Sequence, residues 1–262
     1  MTVLPAAISV QSVTKRFAGP SGDVVALQDA QLAVATGEFV CLIGASGCGK
    51  STLLRIIAGF EAATAGQVVV RGKRVEGPGP ERGMVFQDYG LFPWLSVRRN
   101  IGFGPESRGK GRQEVAEITS RFLDMIGLAA FADAYPHQLS GGMKQRVAIA
   151  RVLANDARVV LMDEPFGALD AMTRERLQDE LLALWASTGL TVVFVTHAIE
   201  EAIFLADRVV VMSPGPGRIV RDLRVDLPRP RDVSSPEFNA LRRELSALLH
   251  SHHSRLEPGV EP

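Results

Sequence analysis

The chain has 262 residues, of which 46% are hydrophobic, a length and composition typical of one globular domain with a smaller subdomain. Lys plus Arg equals Asp plus Glu at 29 each, so the formal charge is zero and no global field favours nucleic acid or an acidic membrane. No stretch approaches the roughly 20 apolar residues that span a bilayer, so we expect any membrane spans to belong to other chains. Cys41 and Cys48 form neither a disulfide framework nor a metal-site pattern, which fits a reducing, cytosolic setting.

Short β-branched runs dominate the first third of the chain. The runs "AISVQSV", "VALQDAQLAV", "GEFVCLIG" and "GQVVVRG" predict strands, several of them antiparallel. The run "LLRIIAGF" has helical apolar spacing and ends in a glycine, which is typical of a helix stop. This region therefore contains a strand, a glycine loop and a helix in that order.

The glycine loop fits the pattern G-x-x-x-x-G-K-[ST]. It comprises Gly44, Ala45, Ser46, Gly47, Cys48, Gly49, Lys50, Ser51 and Thr52. Its backbone N–H groups would surround a β-phosphate, Lys50 would bridge phosphate oxygens and Ser51 would ligate Mg²⁺. A glycine turn beside a surface lysine is the alternative, which the preceding strand and following helix disfavour. We also hypothesise that Cys48, beside converging N–H dipoles, has a lowered pKa and reacts readily.

An inserted helical subdomain is predicted at about 88–151, where the sequence becomes rich in aromatics, Gly and Arg and then takes on helical periodicity. Gln87 immediately precedes it. The aromatic patch Leu91–Trp94 is either a docking surface for a partner or internal packing of the subdomain, and we favour docking.

A second glycine loop lies in this subdomain, at Ser140-Gly141-Gly142 in "LSGGMKQR". A hydroxyl, bare backbone amides and a helix N-terminus together predict an anion site. Because the loop belongs to the helical subdomain, we expect it to be unable to fold back onto Lys50. The geometry that uses both loops is a head-to-tail homodimer with two ATP molecules at one two-fold interface.

Two later runs, "ARVVLMDEP" and "LTVVFVTH", predict strands of a parallel sheet covered by helices, separated by one amphipathic helix. Asp163 would hold Mg²⁺ and Glu164 would polarise the attacking water, although alone this pair also fits a solvated strand end. His197 ends the next strand. His197 and Gln87 gain a functional interpretation only if both converge on one γ-phosphate, with Gln87 touching Mg²⁺ and water.

The tail contains "SPGPGRIV", "LPRPRD" and a last amphipathic helix, "EFNALRRELSALLHS". We predict an ATPase domain at 1–235, and a C-terminal helix with a frayed tail at 236–262. A solvated tail is favoured over a metal site for the histidines at its end, which are His250, His252 and His253.

These motifs, in this order, resemble those of the nucleotide-binding subunit of an ATP-binding cassette (ABC) transporter, over nearly all of the chain. The resemblance implies an α/β P-loop NTPase fold, a mainly parallel sheet core with an antiparallel β subdomain and the inserted helical subdomain. It implies ATP and Mg²⁺ as cofactors, with Mg²⁺ held by Ser51, Gln87 and Asp163. Phe17 corresponds to the aromatic that stacks on adenine, and Asp170 of "GALD" would report across the dimer.

A finer resemblance, through "LFPWLSV", "MSPGPGRIV" and "LPRPRD", is to the ATPases of nitrate, sulfonate and taurine-type importers. It implies separate transmembrane permease subunits, a secreted solute-binding protein, a peripheral position at the cytoplasmic face of the inner membrane and no nucleic acid. One alternative is a cassette ATPase of DNA repair or the ribosome, unlinked to transport. Another is a small-molecule kinase, which would leave "LSGGM" unexplained.

Overall fold

A computed structural model describes residues 6–19, 22–167 and 169–253, the last three of them by backbone alone. The chain divides into two compact units. The first unit contains Met1–Pro78 and Gly189–Pro262, and the second contains Gly79–Thr188.

The elements are numbered in chain order. The strands are β1 (Ala6–Phe17), β2 (Val24–Ala35), β3 (Phe39–Gly44), β4 (Ala65–Val70), β5 (Lys73–Arg74), β6 (Arg82–Val85), β7 (Val159–Asp163), β8 (Thr191–Val195), β9 (Arg208–Met212) and β10 (Ile219–Arg224). The α-helices are α1 (Lys50–Ala58), α2 (Val97–Ser107), α3 (Arg112–Met125), α4 (Gly141–Ala154), α5 (Ala171–Thr188), α6 (Ile199–Leu205) and α7 (Pro236–His253).

The first unit contains an antiparallel sheet with the strand order β2-β1-β4-β5. Ile8 of β1 pairs with Val34 of β2 on one side and with Val70 of β4 on the other, and all three side chains are buried. Exposed residues alternate with buried ones along β2, as expected for a sheet with one solvated face. The predicted antiparallel strands of the first third are confirmed.

The same unit contains a parallel group in which β3 lies between β8 and β9, and β10 pairs antiparallel with β9. Every residue of β3 and β8 is buried, which agrees with the continuous apolar runs that predict burial on both faces. The sequence analysis did not predict β9 or β10. β10 mixes apolar and charged residues without regular alternation, and periodicity therefore separates such an edge strand poorly from a loop.

Helix α7 packs on α6 and buries Phe238 and Leu245. Of the histidines at the end of the chain, His250 lies with Nδ1 2.7 Å from the Ser246 carbonyl oxygen, to which the Nδ1–H tautomer donates a hydrogen bond. The side chains of His252 and His253 lie outside the described residues. Within the ranges that the structure covers, no helix combines the length and apolarity needed to cross a membrane.

The second unit contains the parallel pair β6 and β7 and helices α2 to α5. Helix α4 packs against α2, α3 and α5. Asn100 of α2 is fully buried, and its side-chain amide donates to the carbonyls of Phe92, Leu95 and Ser96. The predicted insertion at about 88–151 contains α2, α3 and most of α4, which ends at Ala154, while its boundaries stay a prediction.

Candidate functional site

The glycine loop connects β3 to α1 within the first unit. Gly47 and Gly49 have φ values of 75° and 92°, which L side chains adopt rarely. A side-chain carbon at Gly44 would lie 2.6 Å from Cys48 Sγ and 2.8 Å from the Met212 carbonyl oxygen. The loop therefore requires glycine for close approach at Gly44 and for backbone conformation at Gly47 and Gly49.

The Lys50 side chain lies inside this loop and bonds its backbone. Its ammonium donates to the carbonyls of Gly44 at 2.9 Å and Ala45 at 3.0 Å, and the residue is only 6% exposed. A buried cation in a loop of backbone amides, at the first residue of a helix, favours an anion. Ser51 and Thr52 follow in the first turn of α1 and are half-buried, so the loop has the features of a phosphate-binding site within one unit.

Cys48 contradicts the hypothesis of a reactive thiol. Its side chain is fully buried, with Sγ 3.7 Å from the Lys50 ammonium. Burial raises the pKa of the Cys48 thiol, and this effect outweighs the lowering by Lys50 and the backbone N–H groups. The predicted lowering of the pKa was wrong because loop position says nothing about burial of the sulfur atom.

His197 lies at the same end of the parallel strands as the glycine loop. The Thr196 N–H donates to the Leu42 carbonyl at 3.2 Å, which continues the pairing of β8 with β3. His197 follows directly and is exposed, while Gly44 ends β3 two residues after Leu42. The prediction that His197 reaches this edge agrees with the strand register, and its role stays a prediction.

Phe17 ends β1 with 40% of its surface exposed. The Lys15 ammonium lies 4.7 Å from the centre of its ring and also bonds Glu61 at 2.6 Å. An exposed aromatic ring suits stacking on a base, and the cation lies over one of its faces.

The second unit holds the predicted carboxylates at the end of β7. Asp163 is buried, and Glu164 has a φ of 46°, an uncommon left-handed conformation for a residue other than glycine. A side-chain carbon built at Gly167 would lie 3.9 Å from both Gln87 Nε2 and Glu164 Oε2. The side chains of Gln87 and Glu164 therefore approach the same point beside Gly167. This agrees with their positions just after β6 and β7, which pair with each other.

Ser140 begins helix α4 as its N-cap. Its hydroxyl oxygen accepts from the Met143 N–H at 3.3 Å, which leaves the hydroxyl proton available to donate. Ser140 is exposed, whereas side-chain carbons at Gly141 and Gly142 would lie 3.0 Å from Leu169 Cδ2 and 3.1 Å from Thr173 Cγ2, respectively. The paired glycines therefore permit close packing, while the cap presents a helix N-terminus at the surface.

Asp170 and Tyr89 lie beside this loop. Asp170 Oδ1 accepts from the Thr173 N–H at 3.0 Å, and this bond lowers the pKa of the Asp170 carboxyl. Tyr89 has a φ of 65°, and its hydroxyl oxygen would be 3.2 Å from a side-chain carbon at Gly141. The sequence analysis did not single out Tyr89, whose positive φ is uncommon for a residue other than glycine.

The predicted metal ligands suit Mg²⁺ by chemistry. Ser51 in the first unit, and Gln87 and Asp163 in the second, supply hydroxyl, amide and carboxylate oxygens, the hard donors that Mg²⁺ prefers. Asp163 is among the buried charged residues, and a bound cation compensates a buried carboxylate. By donor type, each of these residues fits the predicted ion.

Comparisons with known proteins agree with these motifs. The sequence profile described as ABC transporter matches residues 27–167. The nitrate import ATP-binding protein of Synechocystis is 47% identical over 256 residues, covering 94% of this chain and 96% of the relative. The taurine import ATP-binding protein of Roseobacter denitrificans is 45% identical over 262 residues, covering 97% and 98%.

A solved structure confirms the predicted fold class. It is a dimeric ATP-binding cassette in a post-hydrolysis state, bound to ADP and Pi, with a TM-score of 0.74 and 33% identity. The match covers 84% of this chain and 99% of that one. The chain belongs to the ABC transporter family, as an ATP-binding protein and an ATPase coupled to transport.

Proposed function

We propose that the chain drives the import of a small solute of the nitrate, sulfonate or taurine kind, through separate permease subunits. The observation that carries this proposal is the identity of 47% and 45% to nitrate and taurine import ATP-binding proteins, extending over more than nine-tenths of each chain. A solute-binding protein would deliver the solute from outside, and this chain would lie at the cytoplasmic face of the membrane.

In this proposal two copies bind two ATP molecules. The loop around Lys50 in one copy holds the β- and γ-phosphates, and the exposed N-terminus of α4 at Ser140 in the other copy caps the γ-phosphate. The dimeric cassette with ADP and Pi supports such an assembly. So does the exposure of Ser140, which leaves that helix N-terminus accessible to a ligand from another chain.

The residue roles in hydrolysis follow from chemical type. Mg²⁺ bound by Ser51, Gln87 and Asp163 would neutralise charge on the phosphates, which is what phosphoryl transfer most requires. Glu164 would act as the general base for water, Gln87 would orient that water and His197 would contact the γ-phosphate. Phe17 would stack on adenine, and Asp170 would contact the opposite site.

The surface that meets the permease is proposed at Trp94. Trp94 is 69% exposed, whereas Phe92 packs on Phe103 with ring centres 4.6 Å apart and lies 5.3 Å from the Arg151 guanidinium. Phe92 is half-buried and its ring centre also lies 5.7 Å from that of Trp94, so these rings form one aromatic cluster at the surface of the second unit. Trp94 is available to a partner, and an exposed indole is typical of interface hot spots.

Reconstitution tests the import function. The chain would be coexpressed with candidate permease and solute-binding protein subunits of a nitrate, taurine or alkanesulfonate importer, and placed in proteoliposomes. We expect ATP hydrolysis to be stimulated by the loaded binding protein, with uptake of nitrate, taurine or an alkanesulfonate. Efflux of the solute, or a rate of ATP hydrolysis that no binding protein or permease changes, would contradict import.

Trp94→Ala tests the docking surface. We expect copurification with the permease to weaken while ATP affinity stays unchanged, because the ring that packs on Trp94 is Phe92, which has no proposed role in nucleotide binding. Phe60→Ala is the matched control, since Phe60 is another exposed aromatic, in the first unit. Equal copurification of both variants with the permease would refute the surface.

A further inference from the structure

Arg231, in the "LPRPRD" segment, is a buried cation that no motif explains. It is 7% exposed, and its guanidinium donates to backbone carbonyls at the end of α6 and in the segment after β10. These acceptors are the carbonyls of Ile203 at 2.5 Å, Phe204 at 3.1 Å, Ala206 at 2.6 Å, Val225 at 3.2 Å and Leu227 at 3.2 Å.

These bonds place a positive charge at the C-terminal end of α6, where helix carbonyls need partners and the helix dipole is negative. Burial, and after it the charge of Arg229, lowers the pKa of Arg231 to about 10, so the group stays charged at neutral pH. A planar guanidinium that bonds several carbonyls at once fixes their relative positions, because its donors have fixed directions.

From Arg231 an unbroken series of hydrogen bonds runs back through α6. The series is Arg231 Nη1 to the Ala206 carbonyl at 2.6 Å, Ala206 N to the Ala202 carbonyl at 3.0 Å, and Ala202 N to the Ala198 carbonyl at 3.1 Å. It continues at the other end of α6, where Ala198 N donates to Thr196 Oγ1 at 3.0 Å and Thr196 N donates to the Leu42 carbonyl at 3.2 Å.

In the sequence, His197 lies between Ala198 and Thr196, two members of this series. The strand side of His197 is held by the bond from Thr196 to Leu42 of β3. Its helix side is held by α6, whose far end bonds Arg231. A shift of this helix of seven residues would therefore move the His197 backbone relative to the glycine loop.

We propose that Arg231 is a positioning residue for ATP hydrolysis, which fixes α6 from its C-terminal end and so sets the placement of His197. The inference rests on the proposed role of His197. Displacement by a fraction of an ångström suffices to slow a reaction that depends on positioning. The competing possibility is that Arg231 only anchors the segment after β10 and contributes stability alone.

A double-mutant cycle separates these possibilities. Arg231→Lys keeps the charge but replaces the planar fork with a compact ammonium. We expect kcat to fall about 5- to 10-fold while the Kd for ATP changes by less than about twofold, because positioning acts on the chemical step. In a His197→Ala background, followed by single-turnover hydrolysis of γ-labelled ATP, the same change should lower the rate by less than about 1.5-fold.

Two controls keep the outcome interpretable. Val34→Ala, in the core of the antiparallel sheet away from α6, should lower Tm while leaving kcat unchanged, so it separates instability from positioning. Arg231→Gln, whose amide still donates two hydrogen bonds, serves if the lysine variant does not fold.

Each outcome decides between the possibilities. Equal fold losses from Arg231→Lys in the wild-type and His197→Ala backgrounds would overturn the proposal, as would a kcat loss that Val34→Ala reproduces at equal Tm. If His197→Ala alone left kcat unchanged, the proposed role of His197 would fail, and this inference would fail with it.

Discussion

The chain places a serine- and glycine-rich turn before a helix twice, and the two turns differ in what they already contain. The loop at Gly44–Thr52 has its own buried cation, because Lys50 bonds the carbonyls of the same loop. The turn at Ser140 lies on the surface and has a hydroxyl that caps its own helix. The first turn is a site that one chain builds alone, and the second presents a helix N-terminus that a ligand from elsewhere would satisfy.

If the proposed function holds, this comparison accounts for the use of two such turns by one nucleotide. A phosphate bound only by the loop around Lys50 would expose its γ-oxygens, and an external helix N-terminus supplies further donors to them. Hydrolysis would then depend on two chains meeting. The first turn should therefore control binding, and the second should control assembly and turnover.

The largest expected effect follows from removing the cation of the first turn. Lys50→Ala should lower kcat/KM for ATP by about 1000-fold, because both binding and transition-state charge stabilisation are lost. Nucleotide titration measures the loss of binding, and phosphate release measures the loss of turnover. Lys73→Ala, at an exposed lysine of β5, is the control. Retained ATP affinity in Lys50→Ala would contradict the binding role of the first turn.

The proposed general base gives the next effect. Glu164→Gln should lower kcat by about 100-fold with ATP affinity intact, because the amide cannot accept the proton from water. Size-exclusion chromatography with Mg²⁺ and ATP should show a trapped dimer, and Glu175→Gln on the exposed face of α5 should not. A monomer that hydrolyses at the normal rate would remove Glu164 from this role.

Ser140→Asp isolates the ligand role of the second turn from its structural role. Aspartate is as good an N-cap as serine, so α4 should keep its stability, but its charge should repel a γ-phosphate. We expect kcat to fall by about 30-fold with the ATP affinity of the monomer unchanged.

Ser140→Ala is the reciprocal variant. It should lower the free energy of unfolding by about 1 kcal/mol through the lost cap, with a smaller effect on kcat. Thermal unfolding measures the first quantity. If the aspartate and alanine variants lost equal activity, repulsion of the γ-phosphate would not be the cause.

The smallest effect concerns the thiol in the first turn. Because burial raises the pKa of Cys48, less thiolate is present at pH 8 than for a free thiol, and alkylation by iodoacetamide should be at least about threefold slower. The alkylation rate should rise as the pH is raised above 8, because the Cys48 thiol is deprotonated only there. Mass spectrometry of the peptide that contains Cys48 measures the alkylation rate. Alkylation of Cys48 faster than that of glutathione would contradict the burial argument.

A structural feature can be predicted from the sequence when the interactions that determine it involve residues close together in the chain. The strands β3, β7 and β8 are predictable because burial on both faces leaves continuous apolar runs, and the glycine loop is predictable because its φ values demand glycine. The raised pKa of Cys48 and the carbonyl partners of Arg231 depend on residues distant in the chain. The same is true of the close approach of Tyr89 to Gly141.

Mixing two subunits with complementary defects tests the central claim most directly. Lys50→Ala and Ser140→Asp chains, carrying different tags, would be combined and the heterodimer isolated through both tags with Mg²⁺ and ATP. If each ATP is held by Lys50 of one copy and capped by Ser140 of the other, the heterodimer has one intact site and should regain hydrolysis well above either parent. An isolated heterodimer that stays as inactive as its parents would contradict the account.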